Sequence, residues 1–163
     1  MNTFSFTYKS ITLDVVYGKK DFSATYNSIF GEMTYHLHMM FMCPKVYSEE
    51  MLRKDYCPEI AEEFIKTEAF LNEHPDFIEE KKAILSEQMA KLETEKIELQ
   101  RKRSESRKLL KEGKVSQIEH SKVCKTYNEA DYKLSVCKSD FYRKLKNETG
   151  IDFRYMEGAF YDR

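Results

Sequence analysis

Residues 76–148 read DFIEEKKAILSEQMAKLETEKIELQRKRSESRKLLKEGKVSQIEHSKVCKTYNEADYKLSVCKSDFYRKLKNE. Within them Ile78, Leu85, Leu92 and Leu99 recur every seven residues, and Met89 and Leu110 join at the four-residue offset. A seven-residue apolar repeat is the signature of a coiled-coil seam. Gly113 ends the first helix, as a residue that tolerates positive φ does after a last helical turn. Ser116 and Glu119 then have the spacing of a capping box that opens a second helix. That helix carries Val123, Tyr127, Ala130, Leu134, Cys137 and Phe141 at alternating four and three spacing. Folded back about Gly113, the two helices place Leu110 near Ile118, Leu99 near Ala130, Leu92 near Leu134 and Leu85 near Phe141. At 1.5 Å per residue the first helix extends roughly 55 Å, longer than a compact domain of this size is wide, so the hairpin is expected to protrude.

The seam weakens toward its turn, where Lys96, Arg103 and Ser106 stand at positions suited to Leu. Long basic side chains can snorkel outward from such positions, leaving a flexible tip. The alternative is that the helix surface near Arg103 receives a partner helix or a second copy.

Outside the hairpin the period changes. Phe4, Phe6 and Tyr8 alternate with polar residues, as do Ile11, Leu13, Val15 and Tyr17, with Lys9-Ser10 as the turn between two strands. Gly18-Lys19-Lys20-Asp21 is a second turn, followed by Phe22, Ala24 and Tyr26 at period two. Residues 34–43 fit a strand through Tyr35, Leu37, Met39, Phe41 and Cys43. A helical reading through Ile29, Met33, Leu37, Met40 and Phe41 competes with it, and aromatic content and Pro44 favour the strand. Ser48 is an N-cap, Pro58 suits a first helical position, and His74-Pro75 breaks the helix that follows. After Thr149-Gly150, the alternation of Ile151, Phe153 and Tyr155 predicts a C-terminal strand that rejoins the sheet. The fold class is therefore α+β, a small antiparallel sheet body with a long antiparallel coiled-coil hairpin. Its segments are a β-rich body over 1–47, an acidic helical connector over 48–75, the hairpin over 76–148 and the returning strand over 149–163.

The chain has 163 residues, of which 34% are charged against roughly 25% in an ordinary globular domain, consistent with an extended solvated element. Net charge is -1, so no global field draws the molecule to nucleic acid or to a membrane. Four cysteines without CxxC spacing read as reduced thiols. The N-terminus lacks a charged leader and a continuous apolar run, and the longest apolar-rich stretch is half a membrane span. The expected location is cytoplasmic.

Charge is nevertheless segregated. Residues 48–80 carry eleven Asp/Glu against three Lys/Arg, a net of -8, whereas residues 101–125 carry nine Lys/Arg against three Glu, a net of +6. Charge runs on long helices commonly form solvated faces. Functionally, the basic tip suits an acidic protein or phosphates. Nucleic-acid binding there would be nonspecific backbone contact, because the tip has almost no aromatic residues on which bases could stack. The acidic segment suggests a mirror idea, a carboxylate-rich surface imitating nucleic acid in a partner's basic groove.

Two chemistries remain. His36, His38, Met40 and Met42 share one face of a strand and form a soft row suited to Cu(I), the basis for reading a small metal-dependent enzyme; a Met-rich inner strand packed on both faces explains the same residues without metal. Zinc through His36, His38, Cys43 and Cys57 lacks ligand spacing. No P-loop, GxSxG, GxGxxG or HExxH is present, His74 and His120 read as helix-end residues, and Cys124 between Lys122 and Lys125 is the one thiol with a basic setting. A non-enzymatic interaction module without cofactor or metal follows. It is expected to self-associate as a homodimer through strand edges over 4–17 or aromatic residues over 153–161. A short Lys/Glu-rich chain with many Tyr and Met is also similar to small phage proteins that bind and inhibit a host enzyme. That resemblance implies an inhibitor or modulator of a larger host protein, with Arg101, Lys102, Arg103, Arg107, Lys108, Lys111 and Lys114 as the contact.

Overall fold

The computed structural model describes residues 1–39 and 45–161. Four strands form an antiparallel meander in chain order: β1 (Asn2–Tyr8), β2 (Ile11–Tyr17), β3 (Asp21–Ser28) and β4 (Gly31–His38). Helical segments follow as α1 (Glu49–Met51), a π-helical turn (Leu52–Tyr56), α2 (Cys57–Glu73), α3 (Phe77–Lys111), α4 (Gln117–Thr149), a 3-10 turn (Phe153–Met156) and α5 (Glu157–Phe160). The α+β class is thus realised, and the chain divides into one unit of Met1–Glu80 with Leu145–Arg163 and another of Lys81–Lys144.

In the first unit, period two sorts the sheet into two faces. Ile11, Leu13, Val15, Phe22, Ala24 and Met33 are buried on the inner face, together with Ile60, Ala61, Phe64 and Leu71 of α2. Burying one such side chain is worth about 1.5–3 kcal/mol, so this alternation also sets the register. The outer face is hydroxylic: Ser5 donates to Asp14 (3.2 Å), and Thr7–Thr12 (3.0 Å) and Thr25–Thr34 (3.1 Å) pair across strands. Tight turns join the strands. Lys9 takes φ 50° in the first, and Gly31, at φ 128°, closes the third, where the Ser28 hydroxyl accepts from Phe30 N (3.1 Å).

The residues after Gly150 differ from expectation. Residues 153–160 are helical, not a strand, and they lie against β4. Asp152 caps the 3-10 turn by accepting from Arg154 N (3.2 Å), and Gly150 precedes it at φ 76°. Aromatic packing explains the outcome: Phe153 is the hub of Phe70 (5.9 Å), Phe77 (5.0 Å) and Phe160 (5.7 Å), contacts on several sides that one face of a strand would not give. Because Phe153 and Phe160 are buried, they are not an edge for a second copy. At β1, an edge strand, Arg53 donates to the Ser5 carbonyl (3.2 Å) and lies over the Phe4 ring (4.3 Å), which guards part of that edge.

Ser48 accepts from Met51 N (3.3 Å) at the start of α1, Pro58 stands in the first turn of α2, and α2 ends at His74. The interval 40–44, with Met40, Phe41, Met42, Cys43 and Pro44, lies outside the described residues.

In the second unit, α3 and α4 run antiparallel. Lys96 pairs with Asp131 (2.6 Å), Arg103 with Tyr127 and Ser106 with His120, so each step toward the turn on one helix is matched on the other. Leu85, Met89, Ala130, Leu134 and Phe141 are buried, while Leu92, Leu99, Val123 and Tyr127 are half-buried. The apolar seam thins toward the turn. Ile118 is 70% exposed, so the expected Leu110–Ile118 contact does not form a seam layer. Counting back from Tyr127 and Val123 at four and three leads to His120, not Ile118, and His120 meets Ser106, one layer before Leu110. The reversal uses a Schellman arrangement, with Lys114 N donating to Leu109 O (2.9 Å) and Gly113 N to Leu110 O (3.1 Å) at φ 69°. The capping box is present too: Glu119 N donates to Ser116 Oγ (3.2 Å) and Ser116 N to Glu119 Oε2 (2.7 Å).

Candidate functional site

The basic residues singled out by charge all reach solvent at the end of α3 and in the turn. Arg101, Lys102, Arg103, Arg107, Lys108, Lys111 and Lys114 are exposed. Two of them are engaged: Lys114 pairs with Glu112 (2.8 Å), and the Arg103 guanidinium lies over the Tyr127 ring (4.6 Å). Among the described residues, Arg101, Lys102, Arg107, Lys108 and Lys111 make no ion pair. Their spacing around α3 spreads them over more than one side of the helix, and Lys108 and Lys111 sit in the last turn, where the helix dipole favours cations. On α4, Lys122 and Lys125 add to the same end. The Coulombic pull of Lys122 supplements the Ser116 hydrogen bonds that hold the Glu119 carboxyl below its ordinary range. A field of one sign on a helix end can attract carboxylates or phosphates and accelerate encounter with an acidic partner.

The polar seam positions have partners across the hairpin. Lys96 reaches Asp131, Arg103 covers Tyr127 and Ser106 meets His120, so the surface near Arg103 is not an unsatisfied docking strip. With Arg103 over its ring, Tyr127 is not an open stacking platform for a base.

The other candidates disperse. His36 and His38 do share a face, the exposed outer face of β4, opposite Ser23 and Asp21. Because β4 is an edge strand with an exposed face, the picture of an inner strand packed on both sides does not hold. Met40, Met42 and Cys43 lie outside the described residues, and Cys57 is buried among the inner-face residues. Burial pushes the Cys57 thiol up to about 11, with Arg53 opposing weakly. Among the described residues no three His, Cys, Asp or Glu side chains converge to hold a metal ion.

One grouping escaped the charge and motif reading. His120 is not merely a helix-end residue: its Nδ1 is 3.0 Å from Ser106 Oγ and its Nε2 is 3.5 Å from Cys124 Sγ. His120 and Cys124 share an open face of α4 with Lys125, Asn128 and Tyr132. The four-residue spacing of His120 and Cys124 was a visible signal. Ser106 joins them only through the hairpin register.

Among the described residues no helix is long and apolar enough to cross a membrane. No protein-family model matches the chain, and neither the curated proteins nor the solved structures contain a match.

Proposed function

We propose that this chain is a non-enzymatic protein–protein interaction module that presents the basic end of its helical hairpin to an acidic surface of a larger protein, and that it acts there as an inhibitor or modulator. The observation that carries the reading is the group of exposed cations Arg101, Lys102, Arg107, Lys108 and Lys111, none of them in an ion pair among the described residues. Structural charge on a long helix is commonly offset by i,i+4 partners, as Arg53 is by Glu49 (2.8 Å) on the sheet-bearing unit. The absence of such offsets at one helix end leaves the charge available for another molecule. Self-association as a homodimer belongs to the same proposal, with the part of the β1 edge that Arg53 does not cover as the surface.

The test compares the wild-type chain with a variant in which those five residues are changed to Glu. Both are used as bait in native lysate, at low and moderate salt, with and without nuclease. The expected result is one stoichiometric protein that survives nuclease and is lost with the variant. Recovery that vanishes with nuclease would replace the reading by nonspecific phosphate binding, whose affinity falls steeply with salt. Recovery unchanged by the five substitutions would remove the basic end as the contact. Sedimentation of the purified chain tests the homodimer, and a monomer at all concentrations would remove it.

A further inference from the structure

We propose that Cys124 is a nucleophilic modification site, with His120 as its proton acceptor, that exchanges with low-molecular-weight disulfides of the glutathione class. The proposal is independent of what the basic end binds. The arrangement has the parts of an activated thiol: a nucleophile, a base on it and a group that orients the base. Cys124 Sγ lies 3.5 Å from His120 Nε2, within the range of a sulfur hydrogen bond, and His120 Nδ1 lies 3.0 Å from Ser106 Oγ. In the tautomer whose Nδ1–H donates to Ser106, Nε2 presents its lone pair to the thiol. Ser106 is therefore a positioning residue, delivered from α3 by the hairpin register, while His120 and Cys124 stand one helical turn apart on α4.

Access and charge fit the same chemistry. The thiol is half-buried and borders an open face of α4, from which a small disulfide can approach. Lys125 stands on that face and Lys122 lies next to it, both exposed cations that suit the carboxylates of a glutathione-class reagent; Glu129 is the one carboxylate among the residues of that face. The other two described cysteines serve as internal contrasts. Cys57 is buried, with its thiol pushed up to about 11, and Cys137, half-buried on the same helix, has no hydrogen-bonded imidazole among the described residues.

The exchange balances without another reactant. The thiol proton passes to His120 Nε2, the Cys124 sulfur attacks one sulfur of the disulfide, and the bond between the two reagent sulfurs breaks. The departing thiolate takes the proton from the imidazolium. Cys124 is oxidised to a mixed disulfide, and one reagent sulfur is reduced to a free thiol.

The experiment treats the reduced, full-length chain with oxidised glutathione and follows each cysteine-containing peptide by mass spectrometry over time. Cys124 is expected to form its mixed disulfide at least about tenfold faster than Cys137, with Cys57 unmodified in the folded chain. His120→Gln should bring the Cys124 rate down to that of Cys137 while leaving the Cys137 rate and the far-UV circular dichroism unchanged. Should that variant lose helix, Ser106→Ala, which keeps the imidazole but frees its Nδ1, reads the same contact and should slow Cys124 selectively. Equal rates at Cys124 and Cys137 in the wild-type chain, or a Cys124 rate indifferent to both substitutions, would overturn the proposal.

Discussion

The guanidinium of Arg103 lies over the ring of Tyr127, 4.6 Å from its centroid, at a seam position where a coiled coil would ordinarily carry a leucine. This contact turns an apparent packing defect into a paired layer. With Lys96–Asp131 and Ser106–His120 it makes three polar layers between α3 and α4, the Leu99 layer lying between the first two. Cation–π contact at an exposed site contributes about 0.5–1 kcal/mol, less than a buried leucine layer but enough to specify register.

Arg103→Lys keeps the charge and loses the planar stack, so chemical denaturation should show a loss of about 0.5–1 kcal/mol. Tyr127→Ala should cost more, because the half-buried ring goes with the contact. Equal stability of Arg103→Lys and the wild-type chain would mean that the stack contributes nothing.

The turn predicts a second pair of effects. Gly113 stands at φ 69° with nothing within 4 Å of an added Cβ, so Gly113→Ala is penalised by backbone conformation and not by a clash. Its expected cost is about 1–2 kcal/mol in equilibrium unfolding. Ser116→Ala removes the cap of α4 and should cost about 1 kcal/mol, with fraying confined to the first turn of α4 in hydrogen exchange.

Asp152 ties the C-terminal segment to pH. Its buried carboxylate accepts from Arg154 N (3.2 Å) and Arg154 Nε (2.8 Å), its other oxygen also meets the Arg154 guanidinium, and Lys146 approaches at 3.7 Å. The Arg154 hydrogen bond is the largest of the causes that hold this carboxyl below the usual Asp range, against the opposing effect of burial. A folded-state value below the unfolded one contributes stability that is present above the unfolded value and lost as pH falls through the folded one. Asp152→Asn should lower stability at neutral pH by about 2 kcal/mol and flatten the acid limb of the stability curve. A variant whose acid limb matches the wild-type curve would show that Asp152 is not the group responsible.

Cys57 offers a reporter of folding. Fully buried, with a thiol raised to about 11 by desolvation, it should resist alkylation in the native chain and react only at the rate of opening. Its alkylation rate should therefore rise with denaturant in step with loss of circular dichroism. Rapid native-state labelling would show local opening of α2.

Local signals carried the hairpin. The heptad leucines, Gly113 with its positive φ and the Ser116/Glu119 box each act within one or two helical turns, so reading them needs no knowledge of the rest of the chain. The alternation of β1 to β3 is equally local, because a pleated strand sends successive side chains to opposite faces. The exposure of the basic residues was legible for the same reason.

Tertiary structure decided the remainder. Ile151, Phe153 and Tyr155 alternate like a strand, yet aromatic partners from α2, α3 and α5 surround Phe153 and make the segment helical; three apolar residues cannot specify a period against such packing. Lys96, Arg103 and Ser106 look like faults in a seam until the opposite helix supplies Asp131, Tyr127 and His120. Likewise, Cys124 and His120 are one turn apart in any helix, but only the antiparallel register brings Ser106 to the far side of the imidazole. By itself the sequence determined the first three strands, the two hairpin helices and the caps between them, which depend on propensity, period and capping. Which polar groups meet was decided across the hairpin and around the core, because a hydrogen bond or a ring contact depends on a position in space that neither partner's own neighbours encode.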